Sequence, residues 1–161
     1  HFQNKNIITK SDYLEDVFKK IHKDFAREAH KYILPIYPAK KLIEKLQNFK
    51  VKLFLITSDT KSNADETIRV LDLENSFEYV IGGDSKFGNK SLGNGCAYIC
   101  ENFLLDSKEV ICIGDTPVDH QMAVNANLKA SLLVESGQID IKTLSQFSAY
   151  CVKDLSSIII E

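Results

Sequence analysis

The 161-residue sequence has little of what would mark a membrane, secreted or nucleic-acid-binding protein. No apolar stretch approaches the roughly 20 residues that span a bilayer, and the N-terminus carries no signal-peptide pattern. A net charge of −2 gives no electrostatic reason for a nucleic acid or an anionic membrane as partner. Cys96, Cys100, Cys112 and Cys151 form no C-x-x-C pair and have no nearby histidines in zinc-site spacing, so free buried thiols and a cytoplasmic setting are expected. The single methionine is Met122, and the chain opens on His1-Phe2. It is therefore expected to be part of something longer.

What is present fits one ordinary globular domain: 44% hydrophobic residues, 9% aromatic, and charges of both signs. In "DYLEDVFKKIHKDFAREAHKYI", Leu14, Val17, Phe18, Ile21, Phe25 and Ala29 recur every three or four residues and predict an amphipathic helix over 12–31. "PIYPAKKLIEKLQNF" predicts a second helix, with Pro38 in its first turn. Beyond it, apolar runs at "VKLFLIT", "FEYVIGG", "EVICIG" and "KASLLVE" read as buried strands. Helices are expected between them at "SNADETIRVLDL", where Ser62 and Asp65 have capping-box spacing, at "GNGCAYICENFLL" and at "PVDHQMAVNANL". The tail reads as a short helix, an extended piece at "AYCV" and a last short helix. Alternating strands and helices predict an α/β fold with a parallel sheet covered on both faces.

In such sheets chemistry gathers at the carboxyl ends of the strands. Those ends are Thr57-Ser58-Asp59, Gly82-Gly83-Asp84-Ser85 and Gly114-Asp115. In "VICIGDTPVDHQMA", Thr116-Pro117-Val118-Asp119 is a good helix start, with Thr116 as N-cap and Asp119 able to reach back to it. Asp115 has no such use, because a lone carboxylate after a buried strand gains little. Two carboxylates about 5 Å apart repel by roughly 3 kcal/mol at an effective dielectric near 20. A lysine or a divalent cation reverses that sign, and oxygen ligands of this kind favour Mg²⁺. Asp115 and Asp119 are accordingly the candidate metal residues. Thr57 and Ser58 offer a hydroxyl and backbone N–H groups before a helix, a phosphate cradle or a simple N-cap. Lys90, in the loop after "GGDS", could neutralise a phosphoryl group and an aspartate together; an isolated loop lysine is otherwise a solvated charge.

"FLITSDT", "YVIGGDSKFGNK" and "VICIGDTPVD" resemble, in order, the second, third and fourth motifs of the haloacid dehalogenase-like hydrolases, nearest to their phosphoglycolate phosphatase-like branch. "PIYPAKKLIEKLQNFKVKLFLIT" resembles that branch's passage from cap to core. The likeness covers roughly residues 32 to 135. It implies a three-layer Rossmannoid core over 35–161 and a remnant of a helical cap over 1–34. It also implies an Mg²⁺-dependent phosphatase of a small phosphorylated metabolite. Thr57, with Ser58, would hold phosphoryl oxygens and Lys90 would neutralise charge. Asp115 would bind Mg²⁺, with Asp119 acting through water or by orienting Lys90. Ser91 stands where the family commonly has proline, which keeps Lys86 as a competitor while spacing favours Lys90. The polar faces point to a monomer.

The family's first motif, D-x-D-x-[TV], which carries the nucleophilic aspartate, does not occur in this sequence. "NIIT" could mimic its strand end, but Lys10 and Ser11 follow it. The nucleophile and the central strand that bears it are expected upstream. The alternatives are a catalytically inactive relative acting as a binding module and a receiver- or flavodoxin-like domain. The latter would place its acidic cluster after its first strand.

Overall fold

The computed structural model describes residues 10–36, 38–135, 139–147 and 149–160, so the "NIIT" segment lies outside the described residues. The first helix, α1, runs Lys10–Tyr32. There follow α2 (Ala39–Asn48), β1 (Phe54–Ile56), α3 (Lys61–Val70) and β2 (Tyr79–Ile81). A 3₁₀ turn, Lys90–Leu92, leads into α4 (Asn94–Asn102), then β3 (Ile111–Gly114), α5 (Pro117–Asn125) and β4 (Ala130–Val134). The chain closes with α6 (Ile141–Leu144), β5 (Tyr150–Val152) and a 3₁₀ turn, Leu155–Ser157, in place of the expected last helix. No helix among the described residues is long and apolar enough to cross a membrane.

All strand pairs are parallel, as the alternation predicts, but they form two pieces: β1–β2, and β3–β4–β5. Among the described residues, β1 and β3 each keep one edge without a strand partner. The expectation of fully buried strands is corrected here. Ile111 and Ile113 on β3 are 53% and 41% exposed, and β1 is only half-buried throughout. The apolar runs are long enough for a central position, but among the described residues neither strand is flanked on both sides.

The opposite face of β3 is well covered. Cys112 joins Cys96 and Cys100 of α4 and Met122 and Ala123 of α5 in one core, and Ile56 of β1 packs against the same group. Both sheet pieces therefore rest on a common layer of α4 and α5. Buried Ser131 on β4 is paired with His120 of α5, Oγ to Nδ1 2.7 Å, which satisfies a polar group that burial would otherwise penalise. All four cysteines are free thiols, and all but Cys151, which is half-buried, are buried as expected. Burial, more than any neighbouring charge, pushes Cys96 up to about 11 and Cys112 to about 12. They stay protonated and act as small apolar side chains.

The chain stops its helices in an unusual manner for one with only seven glycines. Lys50, Asp72, Leu104 and Asn127 follow the ends of α2, α3, α4 and α5 at φ between 54° and 58°. In each case the next residue closes the helix: Val51, Leu73, Leu105 and Leu128 donate backwards to Leu46, Ile68, Cys100 and Ala123. These are Schellman closures in which an L side chain sits where glycine is usual. Leu104 is 93% exposed and gains nothing from packing to offset the left-handed backbone. Leu104→Gly is therefore expected to raise stability by about 0.5–1 kcal/mol, with Tm up by about 1–4 °C in a thermal melt.

Candidate functional site

The polypeptide brings the expected residues together at the carboxyl ends of β1, β2 and β3. The strand β1 ends at Ile56, and Thr57 keeps one ladder bond, its N–H donating to the Ile81 carbonyl at 3.0 Å. The Thr57 hydroxyl accepts from the Asp59 N–H at 3.1 Å, which leaves its proton available to a ligand. The helix after it starts earlier than the capping-box spacing at Ser62 predicts. Thr60, not Ser62, is the N-cap of α3, accepting from Asn63 N–H at 3.2 Å. Asp65 makes a surface pair with Lys61 instead of a capping box. The cause is Asp84, whose Oδ1 takes the Lys61 N–H at 2.8 Å and so caps the helix from the neighbouring loop. Of the N–H groups expected to be open at this turn, Ser58 keeps one without a partner among the described residues.

Two glycines allow that loop to come so close. A Cβ on Gly82 would lie 2.2 Å from the Lys61 nitrogen, and one on Gly83 would lie 2.3 Å from the Ser58 carbonyl oxygen. The Gly83 N–H also donates to the Asp59 carbonyl at 2.6 Å. Between the joined loops lies a cleft of about 210 Å³, lined by Thr57, Ser58, Gly82, Gly83, Ser85, Phe87 and Lys90 among others. Sequence reasoning marked the "GGDS" loop but not what Asp84 does. Its partner is 23 residues away, and no local pattern announces it.

Lys90 and Asp119 form the central contact. Nζ lies 2.6 Å from Oδ1, with the lysine side chain 17% exposed and the aspartate 5%. The other carboxylate oxygen, Oδ2, accepts from the Thr116 N–H at 3.0 Å, the Thr116 hydroxyl at 2.7 Å and the Asp115 N–H at 3.3 Å. Asp119 is therefore at once a cap for α5, as the Thr116-Pro117 start predicts, and the lysine's partner. Burial works against its charge most strongly, but the Lys90 hydrogen bond and charge and the Thr116 contacts outweigh that. Its carboxyl is held below the usual range. Gly114 makes the site, since a Cβ there would stand 2.2 Å from the Asp119 Cγ.

Lys86 goes elsewhere: its ammonium lies 5.6 Å from the centre of the Phe87 ring and 5.8 Å from that of Tyr98. The geometry thus brings Lys90, and not Lys86, to the aspartate. Asp115 follows β3 directly, half-buried, and its carboxylate has no partner among the described residues. It is a hard oxygen ligand at a strand end and fits a Mg²⁺ ion that keeps several waters. Asp119 fits that role less well, because both of its oxygens are engaged. Among the described residues no group of three or more His, Cys, Asp or Glu side chains gathers around one point.

The sequence matches the profile of the haloacid dehalogenase-like hydrolases over residues 1–133. The chain belongs to the haloacid dehalogenase-like hydrolase family. Solved structures agree on the fold. A candidate β-phosphoglucomutase from Thermotoga maritima is 23% identical at TM-score 0.75, covering 88% of this chain and 65% of that one. A predicted phosphoglycolate phosphatase from Haemophilus somnus 129Pt is 22% identical at TM-score 0.76, covering 91% and 65%. A haloacid dehalogenase-superfamily hydrolase, subfamily IA, from Geobacter sulfurreducens PCA is 18% identical at TM-score 0.70, covering 91% and 70%. This chain thus spans about two thirds of the length of these three proteins. No curated protein matches it.

The lowered Asp119 carboxyl gives a pH signature for this family member. An aspartate whose folded value is depressed contributes stability above its unfolded value of about 3.9 and loses it as pH falls through the folded value. Urea midpoints measured from pH 6 to pH 2.5 are expected to drop through this window. In Asp119→Asn, which keeps an oxygen for the Thr116 cap but no charge, the midpoint at pH 6 starts lower and the acid drop is smaller.

Proposed function

We propose that the chain forms the larger part of a magnesium-dependent phosphatase acting on a small phosphorylated metabolite, with residues 1–34 belonging to a cap and 35–161 to the catalytic core. The observation that carries this reading is the buried Lys90–Asp119 pair at the cleft that Thr57 and Ser58 line. A phosphoryl group in that cleft would receive the Thr57 hydroxyl proton and the Ser58 N–H on its equatorial oxygens. Lys90, held from behind by Asp119, would meet the charge that builds on those oxygens as the ester bond breaks. Donors fixed in place before the reaction need no reorganisation during it, which is where such sites gain most of their rate.

Asp115 would hold Mg²⁺. The ion, when bound, supplies Lewis-acid charge that draws the phosphoryl oxygens into position. The nucleophile is a carboxylate from outside the described residues, an aspartate upstream in the family's pattern. It would form an aspartyl-phosphate that water then hydrolyses. The strand bearing it would lie between β1 and β3 and pair with their free edges. A cytoplasmic site of action fits the four unbridged thiols. The absence of a D-x-D-x-[TV] run from these 161 residues favours one second reading, a phosphate-binding module without turnover.

The test uses the full-length protein, phosphomonoesters and Mg²⁺, with phosphate release as the readout. Hydrolysis is expected, abolished by a chelator and restored by excess Mg²⁺. Lys90→Ala is expected to lower kcat by about 10²–10³-fold, the scale for losing one preorganised charge donor. Asp115→Asn should raise the Mg²⁺ concentration needed for half-maximal rate at least tenfold. Saturable binding of inorganic phosphate with no turnover would support the binding module instead. Turnover indifferent to Lys90→Ala would overturn the assignment of the site.

A further inference from the structure

The 3₁₀ turn that carries Lys90 is fastened to α5 at two places. At one end Lys90 reaches Asp119 in the first turn of the helix. At the other, Asn125, the last residue of α5, donates from Nδ2 to the Ser91 carbonyl at 2.8 Å. The two anchors are six residues apart, about 9 Å along the helix axis. Gln121, one turn before Asn125, donates to its Oδ1 at 3.0 Å, which orients the amide so that its nitrogen faces Ser91. Gly93 brings the end of the turn against the same helix terminus: its φ is +77°, and a Cβ there would lie 2.7 Å from the Ala126 nitrogen. On the near side, Asn89 Oδ1 accepts from both the Ser91 N–H and the Ser91 hydroxyl at 3.0 Å.

Lysine has a long stem with four rotatable bonds, so an ion pair alone fixes its head only loosely. Its backbone must also be held if the ammonium is to stand at one point above the carboxylate. We propose that Asn125 is a positioning residue for Lys90. By donating to the Ser91 carbonyl it ties the lysine-bearing turn to the helix that carries Asp119, so lysine and aspartate move as one rigid unit. The inference rests on the reading of Lys90 as the group that faces the phosphoryl oxygens. It assigns Asn125 no contact with substrate. The residue lies on the exposed end of α5, so its replacement leaves the core intact.

The test is run on the full chain with ¹⁵N-labelled lysine, the Lys90 ammonium signal being assigned by its loss in Lys90→Arg. In the wild type the ammonium protons are expected to exchange slowly with water, because the pair is largely enclosed. Asn125→Ala and Asn125→Asp are expected to speed that exchange at least tenfold. The aspartate variant keeps the shape of the side chain but loses the donor, which separates hydrogen bonding from packing. Exchange unchanged in both variants, or unchanged in Asn125→Asp alone, would overturn the proposal. In parallel, kcat for phosphomonoester hydrolysis by the full-length protein is expected to fall about tenfold in Asn125→Ala with KM within twofold. A wild type with no hydrolysis would defeat the phosphatase reading while leaving the exchange experiment to decide the role of Asn125.

Discussion

A charge pair removed from water depends on everything around it, and the Lys90–Asp119 pair is the constraint from which this structure is best understood. Desolvating two ions costs several kcal/mol each, and their attraction offsets that only when the remaining lone pairs are also satisfied. Here they are. One oxygen of Asp119 is spent on Lys90, and the other collects the Thr116 N–H and hydroxyl and the Asp115 N–H. Among the described residues no buried side-chain nitrogen or oxygen lacks a partner. Removing either ion alone would leave the other uncompensated, a change that typically costs 3–5 kcal/mol.

The surroundings follow from that requirement. Gly114 is a glycine because the carboxylate lies against its Cα, and the protonated thiols of Cys96 and Cys112 supply an apolar bed under the pair. The same logic of close approach governs the other half of the cleft. Gly82 and Gly83 let one loop press onto the next, and Asp84 then caps α3 across the contact. The cleft is thus bounded by two loops locked together on one side and by an ion pair on the other. Neither wall depends on a flexible side chain alone. That is the arrangement expected where charge must be met without delay.

Much of this was legible in the sequence, for physical reasons that can be named. The "VICIG" and "FLI" runs declare strands because continuous apolar residues of that length suit a parallel sheet, and the strand ends then locate Thr57, Lys90, Asp115 and Asp119. Thr116-Pro117 fixes the start of α5 through a cap and a preset φ, both local effects. What the sequence hid is non-local. The start of α3 moved from Ser62 to Thr60 because Asp84, from another loop, competes for its first N–H group. The tie from Asn125 to Ser91 joins residues 34 positions apart, whereas the one from Lys90 to Asp119, 29 apart, was implied by the family resemblance and by no local pattern. Strand burial is non-local in the same way: Ile111 and Ile113 have the composition of a central strand, but their exposure depends on what packs against that face of the sheet.

The central claim is that Thr57, Ser58 and Lys90 face one phosphoryl group. The most direct measurement is an NMR titration of the full-length protein with inorganic phosphate in the presence of Mg²⁺. The account predicts that the Ser58 amide and the Lys90 ammonium signals shift together along one saturable curve, and that Lys90→Ala flattens the Ser58 response. Shifts confined to residues away from this cleft, or a Ser58 response indifferent to the loss of Lys90, would contradict it.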